Sequence, residues 1–187
     1  MKTHISIFLV LCSALLLCSC SVHQTYSDIP EIHYRSLVLE ERTDPMDNVA
    51  MKAILNFSFI DGDGDIGKRP RDPNGISVVR YKWYKKLPDN SYEVYKFDKD
   101  TIYNSHNIPY SRAMDKSEAQ NKLLKGSIEI ELSTPIEIEY GIPMYHGMDE
   151  IEIDSMYVEF YITDRAQHKS NTERTPNFAI KPSSNEN

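Results

Sequence analysis

Residues 51–59 read MKAILNFSF: Met51, Ala53, Leu55, Phe57 and Phe59 fall on one side of a period-two alternation, with Lys52, Asn56 and Ser58 between them. Side chains alternate faces along a strand, so such a set marks a strand with one buried and one wet face. Downstream, Val79, Tyr81 and Trp83 alternate with Arg80, Lys82 and Tyr84, and the run ends in Leu87-Pro88-Asp89-Asn90-Ser91. That cluster is suited to a hairpin loop, with a return through Tyr92 to Phe97. Further strands are expected at Ile128, Ile130 and Leu132, at Ile136 and Ile138, and at Ile151 and Ile153, all spaced by Glu or Asp. Met156, Val158, Phe160 and Ile162 give another, and Asn177 to Ile180 a short last one. About seven to nine strands with turn signals between them predict an antiparallel β-sandwich. Residues 115–126 read differently. Asp115-Lys-Ser-Glu118 resembles a capping box, Gly126 a helix stop, and Ala119, Leu123 and Leu124 have partial helical spacing. A long loop with at most one or two helical turns is expected there.

The chain has 187 residues, enough for one domain, with 40% hydrophobic and 26% charged residues. Its 21 Lys plus Arg against 28 Asp plus Glu leave a net charge of −7. Nucleic acid is excluded as a partner on that balance, since phosphate binding needs a surplus of Lys and Arg.

The chain opens with Lys2 and then an uncharged apolar run from Ile5 to Leu17, thirteen residues long. A bilayer-spanning helix needs roughly 20, so the run reads as the core of a signal peptide. It ends in Leu17-Cys18-Ser19-Cys20. This ending resembles a bacterial lipobox, which implies cleavage before Cys20 and a lipid on its thiol, palmitate among the acyl chains. The alternative is an uncleaved anchor helix with ordinary cysteines. Removal of residues 1–19 takes Cys12 and Cys18 away, so a lipidated Cys20 leaves no free thiol and no disulfide. The expected organisation is a signal peptide at 1–19, a lipidated Cys and tether at 20–29, a sandwich domain at 30–181 and a disordered tail at 182–187.

Directly after the alternating run comes Asp61-Gly62-Asp63-Gly64-Asp65-Ile66-Gly67. Three carboxylates at alternate positions, with glycines that let the backbone curl, aim several oxygens at one point, and Ca²⁺ takes six to eight of them. On the spacing of a calcium loop, Gly67 offers a carbonyl and Asp72 a further carboxylate, although Ile66 and the flanking strand and proline exclude an EF-hand. Without His or Cys in the run, Zn²⁺ and redox metals are disfavoured. The competing reading is a solvated Asp-Gly turn. In a seven-strand sandwich the second and sixth strands run the same way, so the loop after Phe160 shares an end with the Asp run. Asp164 in that loop either closes the metal site or forms a turn before Arg165.

Phe59-Ile-Asp-Gly-Asp-Gly-Asp-Ile-Gly67, together with Ile162-Thr-Asp-Arg-Ala-Gln-His-Lys-Ser-Asn171 and Thr175-Pro, resembles a family of uncharacterised Bacteroidetes-type lipoproteins. These carry an immunoglobulin-like domain with an F-x-D-G-D-G-D-[IL]-G loop and a D-R-A-G-x-x-S-N loop. The resemblance covers most of residues 58–180 and implies an immunoglobulin-like sandwich anchored in the outer membrane, with no established activity. Gln167 stands where the family has Gly, a substitution that disfavours a left-handed turn. No acidic cluster follows Cys20, which in similar lipoproteins accompanies surface export, so the periplasmic face is favoured.

Residues 127–164 hold ten acidic residues and no Lys or Arg, while residues 66–96 hold eight basic and three acidic. Cross-strand pairs of Arg80 and Lys82 with Glu159 or Asp154 account for this asymmetry, the alternative being a basic patch for a partner. Trp83, the only Trp, is read as the core plug in preference to a sugar platform. No H-E-x-x-H, G-x-S-x-G or P-loop is present, and no enzyme is expected, a metal-dependent hydrolase being the least favoured reading. Two readings remain. One is a calcium-stabilised envelope scaffold or partner-binding module. The other is a carbohydrate or peptide binder using outward Tyr84, Tyr157 and Tyr161.

Overall fold

Most of the inward set of residues 51–59 is buried as the alternation requires: Ala53, Leu55 and Phe57 are fully covered, Phe59 is nearly so and Met51 at the strand's outer end is partly buried. A computed structural model describes residues 26–43, 49–70, 76–96, 104–112, 115–116, 121–134, 136–139, 142–145 and 155–178. The signal peptide and Cys20, Asp72, the expected strand at Ile151 and Ile153, and the tail at 182–187 lie outside them.

Among the described residues ten strands follow one another. They are β1 (Glu31–Thr43), β2 (Val49–Asp61), β3 (Val78–Lys86), β4 (Tyr92–Val94), β5 (Asn104–Asn107), β6 (Leu124–Leu132), β7 (Ile136–Glu139), β8 (Ile142–Tyr145), β9 (Met156–Thr163) and β10 (Glu173–Arg174). One sheet runs β1-β2-β7-β8, with β6 beside β7 along the same edge of β2; the other runs β10-β9-β3-β4, with β5 beside β4 on β3. Every pairing is antiparallel. Two antiparallel sheets packed on one core make an antiparallel β-sandwich.

The core lies between the sheets. Phe57 from β2 meets Phe160 from β9 with ring centroids 5.3 Å apart, and Val79, Tyr81 and Trp83 from β3 complete the layer with Ile128 and Leu132 from β6. Trp83 is wholly buried, and its Nε1 donates to the Ser133 carbonyl across the sandwich at 2.9 Å. The Ser133 N–H in turn donates to the Tyr81 hydroxyl at 2.8 Å. Two side chains of one sheet thus satisfy the backbone leaving the other, and the core-plug reading of Trp83 holds.

The hairpin at 87–91 forms as its composition predicts, with Asn90 at φ 66° and the Leu87 N–H bonded to the Ser91 carbonyl. Two expectations are corrected. Leu124 and Gly126 belong to β6, where Gly126 pairs with Phe59, and a Cβ at Gly126 would stand 3.1 Å from that ring. The glycine makes room for an aromatic neighbour and stops no helix. At the C-terminal end, β10 sits at Glu173–Arg174, and of the strand expected over 177–180 the described part is a single bridge from Phe178 to Met156.

Of the expected cross-strand charge pairs, Lys82 lies opposite Glu159, whereas Arg80 lies opposite the uncharged Tyr161 and Asp154 lies outside the described residues.

Candidate metal centre

β2 carries its alternation through to Asp61, which points inward at the end of the strand and is fully buried. The chain then turns back on itself, because the Asp65 N–H donates to Asp61 Oδ2 at 2.9 Å and Gly64 takes φ +68°. The turn is tightly packed. A Cβ on Gly64 would stand 2.2 Å from the Lys122 carbonyl oxygen and 2.5 Å from Lys116 Cβ. Gly64→Ala therefore combines a left-handed backbone with a clash, and a loss of at least about 2 kcal/mol is expected, lowering the melting midpoint by about 4 to 8 °C. A midpoint equal to wild type would refute the packing of this loop.

Asp164, the first residue after β9, meets this loop from the other sheet. One oxygen from each of Asp61, Asp63, Asp65 and Asp164 lies within 4.8 Å of the others, a group that can hold a metal ion. The sequence-predicted juxtaposition of the two loops is therefore realised. Asp164 is oriented by its own loop: Oδ1 accepts from the His168 N–H at 2.8 Å, and Oδ2 pairs with His168 Nδ1 at 3.0 Å. Asp65 Oδ2 accepts from the Ala166 N–H at 2.9 Å. The remaining oxygens are left over. Oδ1 of Asp61, of Asp63 and of Asp65 is buried without a hydrogen-bond partner.

The electrostatics follow from crowding in a dry place. Burial, reinforced by Asp63, Asp65 and Asp164, pushes Asp61 up to about 7 against the one backbone bond it receives. Burial and the charges of Asp164 and Asp63 take Asp65 to about 6. Asp164 is raised by burial, with His168 opposing, and its carboxylate holds His168 above the ordinary imidazole range. The crowding that raises Asp61, Asp65 and Asp164 is what a divalent cation would relieve.

Gly67, expected to lend its carbonyl, has a different role. That oxygen accepts from Arg165 Nη1 at 3.0 Å. Arg165 also donates to Asp115 Oδ1 at 2.8 Å, and Arg69 holds Asp115 Oδ2 by two bonds of 3.0 and 2.8 Å. This Arg-Asp-Arg clasp braces the loop from behind and was not anticipated. Neither was His168, four residues after Asp164 and grouped with Asp63 and Asp164 as a second possible ligand set.

The rest of the second motif ties backbone together. Asn171 pairs its side-chain amide with both backbone groups of Ile32 at 2.8 and 2.9 Å, while Ser170 and Thr175 hydroxyls accept from the Ile162 and Val158 N–H groups at 3.0 Å. Gln167 takes φ +69° despite its side chain, which is anchored by donation to the Ile76 carbonyl at 3.0 Å. The supposed tether also reaches the site, since the Gly62 N–H donates to the Ser27 carbonyl at 3.0 Å.

The tyrosines named for sugar binding are already engaged. Tyr157 is buried, stacked on Tyr84 at 4.5 Å and covered by Arg174 at 3.6 Å, and Lys169 lies 4.1 Å over Tyr161.

The fold and site define an all-β sandwich with a buried acidic cluster able to hold a metal ion. No family model matches the chain, and no curated protein matches it. Among solved structures, wild-type OgpA from Akkermansia muciniphila is similar at 10% identity and a TM-score of 0.35, over 87% of this chain and 32% of that one. This chain thus spans about a third of the OgpA chain's length. Northeast Structural Genomics Consortium target SoR45 is similar at 9% identity and a TM-score of 0.24, over 84% of this chain and 90% of that one. Neither likeness bears on function.

Proposed function

We propose that this chain is a cell-envelope lipoprotein whose immunoglobulin-like sandwich binds one Ca²⁺ and serves as a scaffold or partner-binding module. The observation that carries the metal reading is the set of three buried, partnerless oxygens on Asp61, Asp63 and Asp65. A turn needs one carboxylate to cap it, and a buried oxygen left without a partner is costly. An all-oxygen group favours Ca²⁺ over softer metals, and its crowded anionic charge suits a large cation of flexible coordination better than Mg²⁺. Calorimetric titration tests this: one Ca²⁺ per chain is expected, lost in Asp61→Asn and weakened in Asp164→Asn.

The envelope location is supported by the Leu17-Cys18-Ser19-Cys20 ending. If Cys20 carries the lipid, Cys20→Ser yields an unprocessed or soluble form, while Cys18→Ser stays in the detergent phase. Equal partitioning of Cys20→Ser and wild type would overturn the anchor. The outer membrane, periplasmic side, is the location this reading favours. Scaffolding is preferred to glycan binding because Arg174 and Lys169 cover two of the tyrosine faces a sugar would need.

A further inference from the structure

The start of β1, the end of β2, the starts of β3 and β6 and the ends of β5 and β9 all meet at the aspartate end, as the pairings Glu31↔Ile60, Asp61↔Leu124, Val78↔Asn107 and Val78↔Thr163 require. Among the described residues four large hydrophobic side chains are exposed, and three of them lie here: Ile29, Ile76 and Tyr110, at 54%, 42% and 36%. Each is fixed to the site. Ile29 follows Ser27, which is bonded to Gly62; the Ile76 carbonyl accepts from Gln167; and Tyr110 Cα lies 3.6 Å from where a Cβ on Gly67 would be.

Basic residues ring the same end. Lys68, Arg112, Lys122 and Lys125 are exposed. Lys68 bonds through its backbone to Ile108, Lys122 packs its carbonyl against Gly64, and Lys125 donates to the Tyr26 hydroxyl at 2.8 Å. Of the carboxylates nearby, Asp115 is clasped between Arg69 and Arg165, and the cluster aspartates face inward onto the cation site. Asp28 and Glu31 remain exposed, Glu31 beside His33 at 3.2 Å, against the four basic residues. A chain of net charge −7 therefore presents apolar tips within a basic rim at one end. Clustered apolar residues among lysines mark a surface that sits at a lipid–water interface, where the stems lie along the apolar zone and the charges meet anionic headgroups. The N-terminal segment arrives at this end too, and from Cys20 to Tyr26 it can span no more than about 20 Å.

We propose that the aspartate end of the sandwich docks on the surface of an anionic lipid bilayer. Ile29, Ile76 and Tyr110 enter the headgroup layer, the four basic residues meet its phosphates, and the bound cation sets the loops that carry them. The proposal rests on the cation reading for the order of those loops, and is independent of lipidation.

The test uses a chain beginning at Ser21, which keeps every core residue, since these lie between Ile32 and Phe178. It is sedimented with vesicles of phosphatidylcholine alone and of phosphatidylcholine mixed equally with phosphatidylglycerol, in calcium and in chelator, with calcium binding measured by calorimetry on the same sample. Binding to the anionic vesicles in calcium is expected, weakened about fivefold by each of Lys68→Gln and Lys122→Gln. Ile76→Ser and Tyr110→Ser should weaken it as well, with melting midpoints near wild type. Calcium uptake without vesicle binding, or equal binding to both vesicle types, would overturn the docking surface and leave the cation site standing. Vesicle binding abolished by millimolar inorganic phosphate at constant ionic strength would also overturn it, by reducing the rim to a free-anion site. Anionic-vesicle binding that persists in a sample taking up no calcium would support the surface and refute the cation reading.

Discussion

Saturating Ca²⁺ is expected to raise the melting midpoint of the chain by about 5 to 11 °C over chelator. A ligand that binds only the folded state adds RT ln(1 + [L]/Kd), about 2.7 kcal/mol at a hundredfold excess over Kd, and each kcal/mol is worth roughly 2 to 4 °C at this size. Mg²⁺, which keeps its waters and demands a regular octahedron, should give a smaller rise. The pH dependence has a definite sign. Without the cation, Asp61 titrates at about 7 and Asp65 at about 6, and in the unfolded chain aspartates titrate near 4. The folded state then binds more protons than the unfolded one, so the cation-free protein loses stability as pH rises from about 4 to 7. Calcium must displace those protons, so its increment should be full above about pH 7 and shrink as pH falls through 6. Asp63→Asn offers a crossed test: with one charge fewer it should melt at or above wild type in chelator and below it in calcium. Superimposed wild-type curves in calcium, magnesium and chelator would reduce the loop to a turn.

Trp83→Ala should cost about 3 to 5 kcal/mol and lower the midpoint by roughly 6 to 20 °C. The indole is wholly buried, meets Phe178 edge-on at 6.0 Å and supplies the donor for the Ser133 carbonyl. Its removal opens a cavity between the sheets and leaves that carbonyl unpaired, two losses with one origin. Trp83→Phe, which refills most of the space without the donor, should recover the larger part. A blue-shifted emission maximum in wild type is expected as well. A loss under about 1 kcal/mol on truncation would mean that the side chain is not the plug.

The inward positions of β2, β3, β6 and β9 were legible because a half-buried strand writes its burial as alternation, and the removal of apolar surface from water outweighs every other influence on which residues it carries there. Asp164 was legible for a topological reason, since strand direction alone decides which loops share an end. β1 was harder to see: Leu37 and Leu39 are only partly buried, and the strand changes register between Tyr34 and Ser36, so its period is broken. Gly126 misled because a glycine after a partly helical apolar spacing looks the same whether it ends a helix or faces an aromatic ring across a sheet. Asn171 and Arg165 act on backbone groups or oxygens far away in the chain, and no spacing within the sequence encodes such a partner, whereas His168 stands only four residues from Asp164 and was missed for want of any metal-ligand pattern around it. Gln167 shows the converse case. Its left-handed turn disagrees with local preference and is held by bonds that form only in the finished fold.

The bond from Asn171 to Ile32 joins residues 139 positions apart, and that from Ala166 to Asp65 joins residues 101 apart. Contacts of such separation require both sheets to have met, so the four aspartates are gathered late on the folding path, after the local hairpins. A cation that recognises only the gathered set has nothing to bind in the transition state. It should therefore leave the refolding rate nearly unchanged and slow unfolding by close to its whole stabilisation, about a hundredfold at the saturation considered above. Stopped-flow refolding and unfolding limbs in calcium and chelator would show this as separation of the unfolding limb alone. Bound calcium would then act as a clock on this domain, lengthening the life of each molecule already made.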